Sequence, residues 1–287
     1  MKKEIVLLLI ISYSAICHGQ TASGYLSLGE DSIYYETAGS GRNIILIHDG
    51  LLPGVAWDEQ FVFFSRDYHV TRYDRRGYGF SSPATGSYTH MEDLMHLYEH
   101  LNIESAILIA SSSGGALAID FTLEYPEKVD ALVLVGAVVG GFSYSGHMRT
   151  RGGHLPESFG NAQEENIYYA SNDPYYISSK NTDTKKTAVE MLTAYPQRIL
   201  RRPQFVRPDI PPARRLNEID IPTLILIGEY DIPDVHAVSG VLSMGITNSK
   251  RHVIQDAGHV IPLEQPAQFN KTVAEFIKAN LSSPGSL

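Results

Sequence analysis

The chain alternates between short apolar runs and segments with helical periodicity, and this alternation constrains its fold more than any other feature of the sequence. The apolar runs are nearly continuous, as expected of strands that are buried on both faces of a sheet. They lie at residues 43–48, 105–110, 129–136 and 222–228. Segments with helical spacing lie at residues 89–101, 114–125 and 267–279. The alternation predicts an α/β fold with a mainly parallel sheet and helices on both faces.

The alternation is interrupted between residues 141 and 217. This segment is rich in Tyr, Arg, Gly and Pro, and it is too long to be a plain loop. Helical spacing near residues 164–170 and 185–195 predicts a small, mostly helical insertion that lies over the sheet. The sequence therefore predicts one sheet domain, formed by residues 20–140 and 218–287, with a helical cap formed by residues 141–217.

Composition excludes several classes of function. The 287 residues include 23 Lys and Arg against 32 Asp and Glu, which gives a formal net charge of −9. Because nucleic acid binding needs a basic face, we expect no nucleic acid partner. The single cysteine cannot form an internal disulfide, and it excludes zinc ribbons and iron–sulfur sites. A hydrophobic content of 43% supports a sizeable core, which leaves a globular enzyme or a binding protein.

The N-terminal residues have the layout of a secretory signal peptide. A positively charged start is followed by an apolar run at residues 5–11 that is too short to span a bilayer. Small side chains at Cys17 and Gly19 predict cleavage before Gln20, so that residues 1–19 form the leader. We therefore expect a periplasmic or secreted protein with no membrane span after leader removal. Lipid attachment at Cys17 is a rival interpretation, which the bulky Ile16 disfavours.

A buried strand and a helix are joined by a very short turn within residues 107–118. A nucleophile on such a turn has a strained backbone, so the residues two before and two after it must be small. Around Ser112 these residues are Ala110 and Gly114. Ser112 is therefore the predicted nucleophile, with Ser113 as the rival. An ordinary serine-rich helix cap is the structural alternative.

A serine nucleophile needs a base within hydrogen-bond reach, and the base needs a carboxylate that orients it. Asp231 follows the apolar strand near residue 228, and His259 follows a second predicted strand. Because ligands bind outside the carboxyl ends of strands in open α/β sheets, Ser112, Asp231 and His259 are predicted to meet at one sheet edge. Asp234 is the second choice for the acid, and Glu229 is the third.

Acyl transfer also needs donors for the oxyanion that develops on the substrate. One predicted donor is the backbone N–H of Ser113, next to the nucleophile. The other is assigned to the backbone N–H of Gly50, in the loop after the strand at residues 43–47, with Leu51 as the alternative. The charge of Asp49 would oppose an oxyanion, so we expect its side chain to point away or to form hydrogen bonds that hold the loop.

Together these residues resemble the α/β-hydrolase family, in particular its cap-bearing, single-domain serine hydrolases. The matching motifs, which cover almost all of residues 31–279, are His48-Asp-Gly, Trp57-Asp-Glu-Gln, Tyr73-Asp-Arg-Arg-Gly-Tyr-Gly-Phe-Ser, Ala110-Ser-Ser-Ser-Gly-Gly, Ile221-Pro-Thr-Leu, Gly228-Glu-Tyr-Asp and Gly258-His. The resemblance implies a sheet of about eight strands, a cap between strands six and seven, and catalysis through Ser112, Asp231 and His259. Asp49 stands where the family usually has a small residue.

The resemblance does not identify the substrate, because similar family members include esterases, lactonases, carbon–carbon bond hydrolases and cofactor-free haloperoxidases. Our hypothesis is a serine hydrolase that cleaves a small ester or lactone through an acyl-enzyme, with no cofactor and no metal. One alternative is a non-enzymatic receptor or sensor that binds a small ligand in the same pocket. Another is a carbon–carbon bond hydrolase or perhydrolase that uses the same triad.

Two other signals are interpreted as structural. His96 and His100 fit the H-x-x-E-H pattern of one zinc peptidase group, but their helix has an ordinary packing stripe and a third ligand is not apparent, so we predict no zinc site. Four tyrosines of the insertion could line an aromatic pocket, although packing is the preferred interpretation. They are Tyr168, Tyr169, Tyr175 and Tyr176.

Overall fold

The computed structural model describes residues 21–153, 159–178, 180–195, 204 and 208–281. The predicted leader at residues 1–19, with Cys17, lies outside the described residues. Within them, one sheet contains eight strands in the order β1-β2-β4-β3-β5-β6-β7-β8. The strands are β1 (Ala22–Leu28), β2 (Asp31–Ala38), β3 (Asn43–Ile47), β4 (His69–Tyr73), β5 (Ala106–Ser111), β6 (Val129–Val135), β7 (Thr223–Gly228) and β8 (Ser249–Ile254).

The strand directions follow the sequence pattern. β1 pairs antiparallel with β2, and β2 pairs antiparallel with β4. From β4 to β8 every neighbouring pair is parallel. All residues of β5 and β7 are buried, because helices cover both faces of the sheet. The prediction of a mainly parallel, eight-stranded α/β sheet is confirmed.

Helices form layers on both sides of this sheet. They are α1 (Asp58–Phe64), α2 (His90–His100), α3 (Ser113–Glu124), α4 (Gly146–Thr150), α5 (Ala162–Asn172), α6 (Thr182–Ala194), α7 (Pro233–Gly245), α8 (Ile261–Glu264) and α9 (Pro266–Leu281). One apolar core joins α2, α3 and α7 to the sheet, and a second joins α1 and α9 to it. Every helix in the described part of the chain is too short or too polar to cross a membrane.

Local sequence explains where α2 begins. Thr89 has an extended backbone, and its side chain accepts the N–H of Glu92 over 3.0 Å. The Thr89 hydroxyl also donates to the Glu92 carboxylate over 2.8 Å. This Thr-x-x-Glu pattern satisfies a backbone donor that the first helical turn leaves unpaired.

The segment between β6 and β7 carries α4, α5 and α6, in agreement with the helical patches that the sequence predicts there. A small apolar cluster connects this segment to two loops at the carboxyl ends of the strands. Its buried members are Ala170, Tyr176, Ile177, Ala188 and Leu192 of the segment, Leu52 and Ala56 after β3, and Val260 after β8. The described part of the segment therefore packs over the sheet edge at which the site residues lie. The domain boundaries at residues 140 and 218 stay a prediction.

Candidate active site

Ser112 forms the turn between β5 and α3 in a strained conformation, with φ 52° and ψ −114°. In a non-glycine residue this costs roughly 1–3 kcal/mol and persists only where the surroundings hold it. The Ser112 N–H donates to the Val135 carbonyl over 2.9 Å, and the Ser112 carbonyl accepts the Val138 N–H over 3.2 Å. The turn is thus fixed at both its backbone groups, as a nucleophile exposed at a strand-to-helix turn requires.

Close packing around the turn explains its small residues. A Cβ at Gly114 would lie 2.5 Å from the carbonyl oxygen of His48, and a Cβ at Gly115 would lie 2.5 Å from the Cβ of Ala137. Real Cβ atoms do not approach other atoms so closely, so both positions exclude a side chain. Gly114 thus lets the end of β3 and the loop after it lie directly against the first turn of α3, and Gly115 does the same for the segment after β6.

His259 and Asp231 form a buried hydrogen-bonded pair. Asp231 follows β7, His259 lies between β8 and α8, and the two residues are 4% and 7% exposed. The Nδ1 atom of His259 lies 2.9 Å and 3.0 Å from the two carboxylate oxygens of Asp231. Because a carboxylate only accepts, Nδ1 carries the proton and Nε2 is left as the basic nitrogen. This tautomer is the one that a general base beside a serine needs.

Electrostatics favours the charged form of this histidine. Burial opposes the imidazolium, but the charge of Asp231 and its hydrogen bond outweigh burial, and the charge of Asp49 adds to them. The pKa of His259 is therefore raised above its ordinary value. A raised pKa suits a residue that takes a proton from a hydroxyl and holds it during the reaction.

Gly136 lies between the His259–Asp231 pair and the turn at Ser112. It follows Val135, which binds the backbone of Ser112, and it has φ 52°. A Cβ at Gly136 would lie 3.0 Å from His259 Nδ1 and 3.2 Å from Asp231 Oδ2. The end of β6 therefore brings the Ser112 turn and the His259–Asp231 pair to one place, on the sheet edge that the sequence predicts.

The rival acids have other partners. Asp234 lies in the first turn of α7, and its carboxylate accepts the N–H and the hydroxyl of Ser145 over 2.6 and 2.8 Å. Glu229 accepts the N–H of Asp256 over 3.0 Å. Of the three carboxylates considered from the sequence, Asp231 is the one bonded to His259.

The rival nucleophile also has a different environment. Ser113 is the first residue of α3, and its hydroxyl accepts a hydrogen bond from Arg75 Nη2 over 3.1 Å. The positive φ of the turn belongs to Ser112 and not to Ser113. Ser112 thus has the strained turn conformation that is expected of the nucleophile. Ser113 lies next to it, at the position predicted for the N–H donor.

Asp49 shapes the loop after β3. Its Oδ1 accepts the N–H groups of Leu51 and Leu52, each over 2.7 Å. The expectation that Asp49 forms hydrogen bonds that hold the loop is confirmed. The Leu51 N–H, the alternative oxyanion donor, is thus directed at Asp49, and the assignment of Gly50 stays a prediction. A Cβ at Gly50 would lie 3.2 Å from the Ser113 hydroxyl oxygen, so the two predicted donor residues are neighbours.

Tyr176 contacts the site, although packing was the interpretation preferred from the sequence over a place in an aromatic pocket. It is buried, its hydroxyl donates to Asp49 Oδ2 over 2.8 Å, and its ring centroid lies 6.0 Å from that of His259. The backbone N–H of His259 also donates to the backbone carbonyls of Tyr175 and Tyr176, each over 2.9 Å. Tyr176 thus touches both halves of the site, and no sequence signal distinguishes it from its three neighbouring tyrosines.

Glu264 fixes the loop that carries His259. Its Oε1 accepts the N–H of Gly258 over 2.7 Å, and its Oε2 accepts the N–H of Ser178 over 2.8 Å and the side-chain amide of Asn181 over 2.6 Å. Burial raises the pKa of Glu264, although these donors partly offset the effect. One buried carboxylate thus connects the histidine loop to the segment between β6 and β7.

The two histidines of the H-x-x-E-H pattern contact other side chains near the protein surface. His96 is exposed and lies 3.3 Å from the Glu99 carboxylate, whereas His100 Nε2 lies 3.0 Å from the Tyr35 hydroxyl. In the described ranges, no group of three or more His, Cys, Asp or Glu side chains is arranged to hold a metal ion.

The sheet order and the turn at Ser112 together define an α/β hydrolase. The sequence model of the Alpha/beta hydrolase family matches residues 44–272, and the chain belongs to this family. A relative from Paraburkholderia phymatum, a 2-hydroxy-6-oxononadienedioate/2-hydroxy-6-oxononatrienedioate hydrolase, is 30% identical over 85% of this chain and 90% of its own length. A putative non-heme chloroperoxidase from Synechocystis sp. is 27% identical over 88% of this chain and 99% of its own length.

The fold is also that of solved structures. A thermophilic esterase from Thermogutta terrifontis superposes with a TM-score of 0.70 at 22% identity, over 92% of this chain and 100% of the esterase chain. This likeness shows the fold alone. The family match and the relatives above make the chain a hydrolase of the α/β family.

Proposed function

We propose that the chain is a serine hydrolase that cleaves a small carboxylic ester or lactone through an acyl-enzyme. One observation carries the proposal: the strained Ser112 turn lies beside the buried His259–Asp231 pair, with Gly136 between them. A serine held in this way, with an oriented histidine at the same sheet edge, is the arrangement that acyl transfer needs.

The proposed mechanism has two halves. The Ser112 hydroxyl transfers its proton to His259 Nε2 as its oxygen bonds to the substrate carbonyl carbon, and Asp231 stabilises the imidazolium that forms. The backbone N–H groups of Ser113 and Gly50 stabilise the oxyanion. The bond to the leaving alkoxide breaks as His259 returns the proton to it. Water, deprotonated by His259, then attacks the acyl-enzyme and releases the acid and Ser112. No cofactor takes part in this scheme.

A carbon–carbon bond hydrolase is the second candidate, and the Paraburkholderia phymatum relative supports it. The same serine, histidine and oxyanion donors would serve, with a carbon leaving group in place of an alkoxide. A perhydrolase differs only in having peroxide attack the acyl-enzyme. These candidate reactions use the same site residues and differ in the substrate that they act on.

Labelling with a fluorophosphonate probe tests the nucleophile. We expect the wild type and Ser113→Ala to be labelled and Ser112→Ala to remain unlabelled, since the probe forms a bond to the activated serine oxygen. Ser113→Ala is the matched control, because it removes a hydroxyl one residue away and keeps the backbone N–H. Labelling of Ser112→Ala at the wild-type rate would refute the assignment.

A substrate panel tests the reaction class. It contains p-nitrophenyl esters of graded chain length, lactones and 2-hydroxy-6-oxo-dienedioates. Turnover of esters or lactones by the wild type but not by Ser112→Ala supports the proposal, whereas selective turnover of the dienedioates supports the second candidate. Tight binding of a ligand without turnover of any compound would identify the receptor that the sequence analysis keeps as an alternative.

We also propose that the enzyme is exported, on the strength of the charged and apolar N-terminal residues. Periplasmic or secreted protein is expected to begin at Gln20 when its N-terminus is sequenced. Retention of the whole chain in the cytoplasmic fraction would contradict the proposal.

A further inference from the structure

We propose that Arg75 is a positioning residue that fixes both oxyanion donors, Gly50 and Ser113, through a single guanidinium nitrogen. The proposal rests on the proposed function, because it assigns Arg75 a task in the same acyl-transfer reaction. Arg75 follows β4 within the Asp74-Arg-Arg-Gly motif, and it belongs to none of the elements that carry the predicted triad.

The first contact of Arg75 sets the orientation of the Gly50 N–H. Arg75 Nη2 donates to the backbone carbonyl of Asp49. This carbonyl and the Gly50 N–H belong to one planar peptide group, so fixing the carbonyl fixes the direction of the N–H. A cationic donor on the carbonyl oxygen also polarises the peptide and makes its N–H a stronger donor.

The second contact of Arg75 reaches the other donor residue. Nη2 has two hydrogens, and it also donates to the Ser113 hydroxyl over 3.1 Å. Ser113 contributes its backbone N–H to the proposed oxyanion site, next to Ser112. Gly50 approaches the same hydroxyl closely enough that a Cβ would lie 3.2 Å from it. One nitrogen thus bridges the loop after β3 and the first turn of α3.

His48 reinforces the same carbonyl. Its Nδ1 lies 2.7 Å from the Asp49 carbonyl oxygen, and its Nε2 accepts the backbone N–H of Arg75 over 2.9 Å. Burial, followed by the charge of Arg75, holds the pKa of His48 well below its usual range. A neutral ring with the proton on Nδ1 satisfies both contacts. The Asp49 carbonyl therefore receives two donors, and Arg75 supplies or orients both.

Arg75 is held at an energetic cost that the fold alone does not explain. It is 4% exposed, and its guanidinium carbon lies 5.1 Å from the centre of the Tyr78 ring. Its Nε is buried and has no hydrogen-bond partner among the described residues. A buried donor without a partner costs about 1–3 kcal/mol. Such a cost is typical of functional sites, where local stability is given up for geometry.

The positive charge adds to the positioning. Because Arg75 is buried, its cation beside the two donor residues stabilises negative charge that develops there more strongly than it would in solvent. Arg75 would therefore act mainly in the transition state, when the carbonyl oxygen becomes an oxyanion. The expected signature of its loss is a lower kcat with little change in KM.

The experiment compares Arg75→Met and Arg75→Lys with the wild type in p-nitrophenyl acetate hydrolysis and in the fluorophosphonate labelling rate. For Arg75→Met we expect kcat to fall about 100-fold with a nearly unchanged KM, as when one oxyanion donor is lost. Arg75→Lys keeps the charge and is expected to recover part of kcat. Guanidinium ion, added to Arg75→Ala below denaturing concentrations, is expected to raise its kcat.

Arg72→Met is the matched control. Arg72 is also a largely buried arginine of this region, but it pairs with Glu36 over 2.6 Å and with Asp58, and lies over the Phe61 ring. We expect Arg72→Met to lower the melting temperature and to leave kcat and its response to guanidinium unchanged.

The outcomes separate the two proposals. Suppose that the wild type hydrolyses esters and labels at Ser112. The role of Arg75 alone is then overturned if the kcat of Arg75→Met equals that of the wild type, or if activity is restored neither in Arg75→Lys nor by guanidinium in Arg75→Ala. If the wild type neither hydrolyses esters nor labels at Ser112, the proposed function fails and the role of Arg75 fails with it.

Discussion

At the scale of single residues, the backbone of Ser112 is held in a strained conformation. Its φ is 52°, a value that residues with a side chain rarely adopt. Glycine adopts the same conformation without that penalty. Having a serine and not a glycine at this turn therefore lowers the stability of the fold.

This loss of stability gives a first prediction. Ser112→Gly is expected to raise the free energy of unfolding by about 1 kcal/mol, because it relieves the strain, while hydrolysis is lost. Thermal or urea unfolding measures the change. Ser113→Gly is the control: Ser113 has no positive φ and begins a helix, so the same substitution there should give no gain. A lower melting temperature for Ser112→Gly would show that the turn is not strained.

A second prediction concerns pH. His259 must be neutral to act as a base, and its pKa is raised by Asp231 and further by Asp49. The acid limb of kcat/KM should therefore lie above the ordinary histidine pKa of about 6.5. Asp49→Asn removes one of the charges that favour the imidazolium, so the limb should move to lower pH. Asp58→Asn, at an exposed carboxylate, should leave the limb in place, and an unmoved limb in Asp49→Asn would contradict the prediction.

The sequence predicted the three residues of the proposed triad because each follows a recognisable apolar strand and parallel strands end at one edge. It also predicted that Asp49 holds its loop. Arg75 and Tyr176 could not be found in this way. Their contacts, with Asp49 in both cases, join segments far apart in the chain, and neither residue type nor spacing indicates such a partner.

At the scale of elements, the residues 173–178 between α5 and α6 form a connection between the two halves of the site. Tyr176 reaches Asp49 after β3, backbone carbonyls of this segment receive the His259 N–H, and Ser178 binds Glu264. The loop after β3 and the loop after β8 are therefore held against the same short segment. Movement of this segment would disturb the base and the oxyanion loop together.

The third prediction tests this connection. Tyr176→Phe removes the hydroxyl that satisfies the buried Asp49 Oδ2, and it should lower the free energy of unfolding by about 1–3 kcal/mol. Urea unfolding measures the loss. Tyr175→Phe is the matched control, since the Tyr175 hydroxyl contacts His147 near the surface, and it should cost less than about 0.5 kcal/mol. Equal losses in the two variants would argue against a special role for Tyr176.

Element prediction succeeded where periodicity is strong and failed where it is weak. The buried strands β3, β5, β6 and β7 can be recognised in the sequence as nearly continuous apolar segments. β1 was missed, because Leu26 is its only buried residue and its other positions are exposed or only partly buried. An edge strand of this kind is specified by pairing with β2 and not by its own pattern.

At the scale of the whole molecule, β1 is the edge strand on one side of the sheet and covers β2. It pairs in full register with β2, from Ala22 opposite Thr37 to Leu28 opposite Asp31. Without it, β2 would present unpaired backbone groups to solvent, and an exposed strand edge invites association with other chains. β1 therefore keeps the longer and more buried strand β2 from being the edge of the sheet.

This yields the fourth prediction. A chain that begins at Gln20 should melt at the temperature of the full chain, because β1 is intact. A chain that begins at residue 30 should melt at a lower temperature and aggregate, since it loses β1 and the buried side chain of Leu26. Differential scanning fluorimetry and light scattering measure the two effects. A monodisperse, equally stable shorter chain would show that β1 is dispensable.

The order of strands has a consequence for the time at which the enzyme becomes active. The serine turn and the oxyanion loop lie in the first half of the chain, whereas Asp231 and His259 follow β7 and β8, beyond the long segment after β6. During synthesis from the N-terminus, the residues of the proposed nucleophile's turn are made long before those of the proposed base. The proposed site can therefore be complete only when almost the whole chain has been made, and an unfinished product lacks the base that the proposed mechanism needs.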